Sequence, residues 1–255
     1  MDYIEKAVRK AKDAQQFRGV GRLGPALEGP VQYTHTKVQP ADQEILQTNR
    51  ILSLDAPENW AEPYKILRTQ VLHTMEERNW KTLAVTSPGE SEGKSVTAAN
   101  LAVSIAMEFN RTVLLIDANL RRPSLHQLFG IPGERGLRDY LLSQAKLADL
   151  LVNPGIPDLV LLPAGKKAAN SSELLRSPLM KRLVDEVKHR YPERMIIFDL
   201  PEVLAKADTA AFAPYIDATL LVVEAGKTTK RAIQRAFDYL SDTPNLGVVL
   251  NKAQN

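Results

Sequence analysis

From residue 82 onward the chain alternates short, continuous apolar runs with longer amphipathic stretches. VLLI, MIIF and TLLVV are apolar at every position rather than at every second one. A strand of that kind has both faces covered, which is the mark of a parallel sheet between two layers of helices. The pattern predicts strands at Thr82–Thr86, Thr112–Asp117, Leu159–Leu162, Arg194–Asp199, Ala218–Glu224 and Leu246–Asn251. Helices are predicted between them at Lys94–Glu108, Leu137–Leu142, Ser171–Arg190 and Thr228–Leu240, with Asn170 and Glu173 as the start signal of the third. A helix over Trp60–Arg78 precedes them, with Pro63 in its first turn. The expectation is an α/β fold, a mostly parallel sheet with helices on both faces. Ligands bind such sheets in a crevice at the carboxyl ends of the strands.

The first residues read differently. Asp2 to Phe17 carries Ile4, Ala7, Val8, Ala11 and Ala14 at helical spacing, with Lys6, Arg9, Lys10 and Lys12 elsewhere. Such a helix docks a partner or an acidic membrane surface, or packs on its own domain; the residues alone leave these open. Residues 18–47 hold Gly19, Gly21, Gly24, Pro25, Gly29, Pro30 and Pro40 among polar residues, the composition of a flexible linker. The expected organisation is an amphipathic helix over 1–17, a linker over 18–47 and the α/β domain over 48–255.

The chemistry concentrates where the first of the apolar strands ends. VTSPGESEGKSVTAA, from Val85 to Ala99, runs from a strand through a short loop into an alanine-rich helix. This is the order a phosphate-binding loop requires. Loop and helix N–H groups face the phosphates, the lysine neutralises their charge, and the serine hydroxyl ligates Mg2+. Gly89, Ser91, Glu92, Gly93, Lys94, Ser95 and Val96 are therefore the expected nucleotide-binding residues, in a P-loop NTPase. The usual first glycine position holds Pro88, with Gly89 one place later. Glu90 and Glu92 lie inside the loop, and because a carboxylate repels a triphosphate, both are expected to point outward.

Two acids close apolar runs. Asp117 ends VLLID and Asp199 ends IIFD, both on the rim of the sheet that carries the loop. Together with Ser95 they form a candidate Mg2+ site, directly or through water. Lys94, Asp117 and Asp199 are the candidate catalytic residues. Arg121 and Arg122 follow the first acid and either pair with phosphate or stay solvated. Asn251, ending the last strand, either hydrogen-bonds a nucleotide base or serves a turn.

Composition narrows the field. A net charge of +3 over 255 residues carries no nucleic-acid signature. Cysteine is absent, which excludes disulfides and thiolate chemistry, and the four histidines are scattered. No apolar run reaches the roughly 18 residues of a membrane span, and MDYIEKAVRK lacks the apolar core of a secretory signal. The expected compartment is the cytoplasm, with recruitment to the inner face of the plasma membrane.

Together, TSPGESEGKSVTAANLA, VLLIDANLRRP, LLPAGKKAANSSELLRS, RMIIFDLPEVLAKAD and GVVLNKA resemble the bacterial tyrosine kinases of capsule and exopolysaccharide synthesis. These form part of the MinD/ParA-like branch of P-loop ATPases. RYPERMIIFDLP, VVEAGKTT and LNKA are closest to the variant associated with exosortase loci. The resemblance implies ATP and Mg2+ as cofactors, with Lys94 and Ser95 in the phosphate loop. It assigns Asp117 to metal binding and acceptor activation, and Asp199 to the remaining metal position. It also implies self-association through Glu62, Lys65 and Arg68, which match an E-x-x-R-x-x-R segment with lysine at the first arginine. A membrane-embedded polysaccharide chain-length regulator is the implied partner.

The sequence departs from the family at three places. Asn119 stands where D-x-D has its second acid, and an amide cannot act as a base. Glu90 and Ser91 replace the usual proline and glycine. No tyrosine cluster follows Tyr239, so Tyr3, Tyr33 or another protein is the expected acceptor. Two functions follow: an ATP-dependent tyrosine (auto)kinase regulating polysaccharide polymerisation and export, or a kinase-inactive nucleotide switch in the same machinery. A ParA/MinD-type positioning ATPase would need an early loop lysine, which Ser87–Glu92 lacks.

Overall fold

Both faces of the strands are buried, as their unbroken apolar runs require. The computed structural model describes residues 36–53, 56–190, 193–205 and 207–253. All of them belong to one of the two units into which the chain divides, Val31–Asn255. The amphipathic helix expected over 1–17 lies outside the described residues, as does the first part of the linker.

The strands are β1 (Lys37–Val38), β2 (Thr82–Thr86), β3 (Thr112–Asp117), β4 (Val152–Asn153), β5 (Leu159–Leu162), β6 (Arg194–Asp199), β7 (Ala218–Glu224) and β8 (Asn245–Asn251). They form one eight-stranded sheet in the order β1-β4-β5-β3-β6-β2-β7-β8. Every pairing is parallel except β4 with β5. The helices are α1 (Gln43–Thr48), α2 (Glu58–Glu77), α3 (Lys94–Ala106), α4 (Leu125–Leu128), α5 (Leu137–Leu141), α6 (Ser171–Leu175), α7 (Pro178–Arg190), α8 (Asp208–Phe212) and α9 (Lys230–Tyr239).

Successive strand residues feed opposite layers, as the two-residue period dictates. Val113 and Leu115 of β3 pack with α2 and α3, whereas Leu114 and Ile116 pack with α5, α6 and α7. A third cluster joins Leu221 and Val223 of β7 to Ala236 and Leu240 at α9. From Thr97 to Ala106 every residue of α3 is buried, which explains its alanines: the helix lies between the sheet and α2. Its polar residues serve the same packing. Asn100 accepts Leu52 N–H at 2.7 Å and donates to Arg50 O at 2.9 Å.

Two expectations are corrected. The linker expected over 18–47 gives way to folded chain within its last part: Lys37–Val38 pairs with β4, and Asp42 caps α1 at Glu44 N (2.8 Å), burying Leu46. The helix expected over 171–190 is two helices. Residues before a proline avoid the helical region, so the chain stops at Arg176 and restarts with Pro178 in the first turn and Ser177 Oγ accepting Met180 N–H at 3.2 Å. The first of the two starts where Asn170 and Glu173 place it, with Asn170 at the N-cap position and the helix running from Ser171, although Asn170 makes no side-chain cap bond.

Asp217, just before β7, ties the amino ends of the central strands. Its carboxylate accepts Lys81 N, Thr82 N and Thr82 Oγ1 at 2.9 Å each and pairs with Lys188 Nζ at 2.7 Å. Burial pushes its pKa up, but Lys188 and the Lys81 and Thr82 hydrogen bonds outweigh it, so the net shift is down. A carboxyl depressed in the folded state stabilises at pH values above its unfolded pKa, and that contribution is lost as pH falls through the folded value. Asp217→Asn should cost about 1–3 kcal/mol in urea unfolding at pH 7. The difference from wild type should shrink as pH is lowered towards 3, the region in which an ordinary aspartate protonates at about 3.9.

Candidate nucleotide-binding site

The strand order places the chemistry. β6 lies between β3 and β2, so Asp199 is in register with Asp117 on one side and with Val85, at the start of the phosphate loop, on the other. Residues remote in sequence thus meet at one rim.

The loop turns through two left-handed residues, Ser91 (φ 62°) and Gly93 (φ 95°). Gly93 is required twice over, since a Cβ there would also lie 2.0 Å from Asn251 Nδ2. Helix α3 begins at Lys94, and its first intrahelical bond runs from Thr97 N to Gly93 O at 2.9 Å. The N–H groups of Lys94, Ser95 and Val96 are therefore without helical partners at the positive end of a 13-residue helix that has no acid in its first turn.

The two loop glutamates differ. Glu90 points outward, as expected, and pairs with Arg122 at 2.5 Å. Glu92 does not. It is buried, accepts Gly89 N–H at 2.7 Å and takes the Thr228 hydroxyl on its other oxygen. The repulsion argument counted only phosphate; donors within the loop and at the β7–α9 turn satisfy this carboxylate instead. Gly89 N–H is thereby spent on Glu92 rather than presented to an anion. Asn251 is also employed differently from the base-binding expectation, its Nδ2 donating to Glu92 O at 2.9 Å. Lys252 donates to Ser91 O at 2.7 Å and meets Glu224 at 3.1 Å. Thr228 and Lys252 are loop braces that the sequence reading missed; their place inside VVEAGKTT and LNKA was the available signal.

Asp117 and Asp199 are both fully buried. Asp117 accepts Ser124 N (2.9 Å), Leu125 N (3.0 Å) and Asn119 N (3.2 Å). Burial, then the neighbouring Asp199, raise its pKa to about 7 against these bonds. Burial also raises Asp199, while Lys94 and Ser95 pull it down. Neither Asp199 oxygen has a hydrogen-bond partner among the described residues, although both are buried. Lys94 Nζ lies 3.2 Å from Ser95 Oγ. An orphaned carboxylate beside a second acid, a hydroxyl and an ammonium fits a hydrated divalent cation. No group of three or more acidic, histidine or cysteine side chains gathers among the described residues, so water and phosphate oxygens would complete its shell.

The two arginines after Asp117 separate cleanly. Arg121 forks onto buried Asp208 (2.6 and 3.3 Å) and donates to Ala169 O at 3.1 Å, which makes it a rivet between loops. Arg122 is the exposed one: its side chain, paired with Glu90, is 63% accessible to solvent. Buried Asn119 accepts Arg122 N–H at 3.3 Å and holds the turn.

The candidate self-association residues sit on α2. Glu62 and Lys65 form an exposed pair at 3.1 Å. Arg68 donates to Ser104 O at 2.9 Å and pairs with Glu108 at 2.8 Å within the chain.

No family model matches the chain. It is 35% identical over 208 residues to the tyrosine-protein kinase YwqD of Bacillus subtilis, covering 81% of this chain and 86% of that one. It is 31% identical over 267 residues to the succinoglycan biosynthesis transport protein ExoP of Rhizobium meliloti, covering 98% of this chain and 33% of ExoP. The kinase domain of the Escherichia coli tyrosine kinase ETK superposes with a TM-score of 0.73 at 26% identity, covering 86% of this chain and 89% of that domain. With its phosphate loop and both strand-end acids gathered on one rim of the sheet, the chain belongs to the bacterial tyrosine-protein kinase family.

Proposed function

We propose that this protein transfers the γ-phosphate of ATP to tyrosine at the rim formed by Gly93–Val96, Asp117 and Asp199, and that it thereby regulates polysaccharide polymerisation and export. The observation that carries the site is the orphaned Asp199 carboxylate beside Lys94 and Ser95. The free N–H groups at the start of α3 receive the phosphates, and Lys94 neutralises their charge. Ser95 and Asp199 would hold Mg2+, with Asp117 adding negative charge behind them; such an ion neutralises the β- and γ-phosphate oxygens. The similarity to a succinoglycan transport protein supports a partner in the membrane-embedded polysaccharide machinery. No helix among the described residues is long and apolar enough to cross a membrane. Tyr3 and Tyr33, the acceptors favoured by sequence, lie outside the described residues.

One observation favours a second reading, a nucleotide-dependent switch without phosphotransfer: Asn119 takes the place of an acid and is committed to a turn. Mass spectrometry after incubation with ATP and Mg2+ separates the two. Phosphotyrosine is expected in wild type and absent from Lys94→Met and Asp199→Asn; nucleotide binding without phosphotyrosine establishes the switch. For the loop, Glu92→Ala should weaken ATP binding roughly 10-fold or more in titration, since unsatisfied buried groups cost about 1–3 kcal/mol. Ser91→Gly should leave binding intact and raise stability by up to about 1 kcal/mol by removing a left-handed non-glycine residue.

A further inference from the structure

Nearly all the acids near the rim besides Asp199 are already committed, Asp208 to Arg121 and Glu224 to Lys227 and Lys252 among them. Asp117 is held by backbone N–H groups from three residues. Glu92 closes the loop on Gly89 and Thr228. Glu90 is ion-paired with Arg122. Asn119 has no basic form. Glu202, three residues past Asp199 in the segment DLPE, is different. It is 4% exposed, and no donor among the described residues hydrogen-bonds its carboxylate.

The backbone around Glu202 is gripped from both sides. Pro201 O accepts Thr86 Oγ1 at 2.7 Å and Thr209 Oγ1 at 2.8 Å. Leu200 N donates to Val85 O at 3.0 Å and Val203 N to Ser87 O at 2.9 Å. Residue 202 therefore runs alongside the first turn of the phosphate loop. Its charge acts on Arg121 and Arg122, in the loop that follows Asp117. Arg121 is already forked onto Asp208 and Arg122 paired with Glu90, so neither spends its hydrogen bonds on Glu202. A carboxylate held in place by its backbone and committed to no donor is free to accept a proton.

We infer that Glu202 takes the proton from the acceptor tyrosine hydroxyl, supplying the carboxylate that Asn119 lacks. This rests on the tyrosine-transfer reading above. In the step, the phenolic O–H bond breaks and its proton passes to the Glu202 carboxylate. The phenolic oxygen forms a bond to the γ-phosphorus, the bond from that phosphorus to the β,γ-bridging oxygen breaks, and ADP leaves with the electron pair. Glu202 then releases its proton to solvent.

The test uses the full chain with ATP, Mg2+ and a synthetic glutamate–tyrosine copolymer as acceptor. Phosphotyrosine formation and the affinity for a fluorescent ATP analogue are both measured. Glu202→Gln should lower transfer by about 100-fold or more, in the range of general-base contributions, with nucleotide affinity within about 3-fold of wild type. Adding Asn119→Asp to Glu202→Gln should restore transfer by about 10-fold or more, whereas Asn119→Asp alone should change it less than about 3-fold, since the base is already present. Wild-type transfer in Glu202→Gln overturns the assignment. Loss that Asn119→Asp does not restore assigns Glu202 to holding the arginine loop and overturns it as well. Wild type without transfer overturns the tyrosine-transfer reading itself, and this inference with it, which distinguishes the two failures.

Discussion

Two carboxylates buried side by side, at the ends of adjacent parallel strands, set the terms for everything around them. Like charges in a medium that screens poorly repel strongly, and the burial of each is itself unfavourable. The structure relieves Asp117 with N–H groups of Asn119, Ser124 and Leu125, which shapes the loop leaving β3. It gives Asp199 only the neighbourhood of Lys94 and Ser95. The imbalance leaves a cation-seeking oxygen pair at the foot of a helix whose free N–H groups seek an anion. A magnesium–triphosphate complex carries both charges in one ligand, which explains why loop and acids share one rim.

The rigidity of that rim comes from polar contacts between distant segments rather than from the hydrophobic layers beneath. Arg121 locks the loop after β3 to α8 through buried Asp208, and Thr86 and Thr209 converge on the Pro201 carbonyl. Glu92 locks the phosphate loop to the β7–α9 turn. Each contact fixes backbone close to where phosphate would lie, so the site's geometry is established before ligand arrives. Preorganisation of this kind reduces the ordering cost of binding.

The sheet was legible because its strands are buried on both faces, and burial of that kind imprints unbroken apolar runs. Most strand limits agree with those read from sequence to the residue, and β8 differs by one. The loop and the acids were legible because their chemistry demands particular residue types at strand ends. What escaped has physical causes. β1 and β4 span two residues each, too short to show any period. The break at Ser177–Pro178 was written in the sequence, but the apolar spacing on either side masked it. Glu92 was expected to point outward and turns inward because its partner Thr228 is remote along the chain, and pairwise electrostatics cannot be read before the fold brings partners together.

The hydrogen bond from Asn251 to Glu92 closes a separation of 159 residues, and Lys252 reaches Ser91 across 161. The amino-terminal half of the nucleotide site is thus shaped by the last strand of the described chain. On a ribosome the phosphate loop would emerge, and its helix could form, long before its braces exist. A growing chain that has already folded β2 and α3 would still hold an unbraced loop, and nucleotide could stabilise the protein only after β8 docks. Contacts of such long range are slow to form because loop closure must precede their reward. Docking of β8 and the bracing of the phosphate loop are in this way joined by topology, so that a chain stalled before β8 would lack both braces.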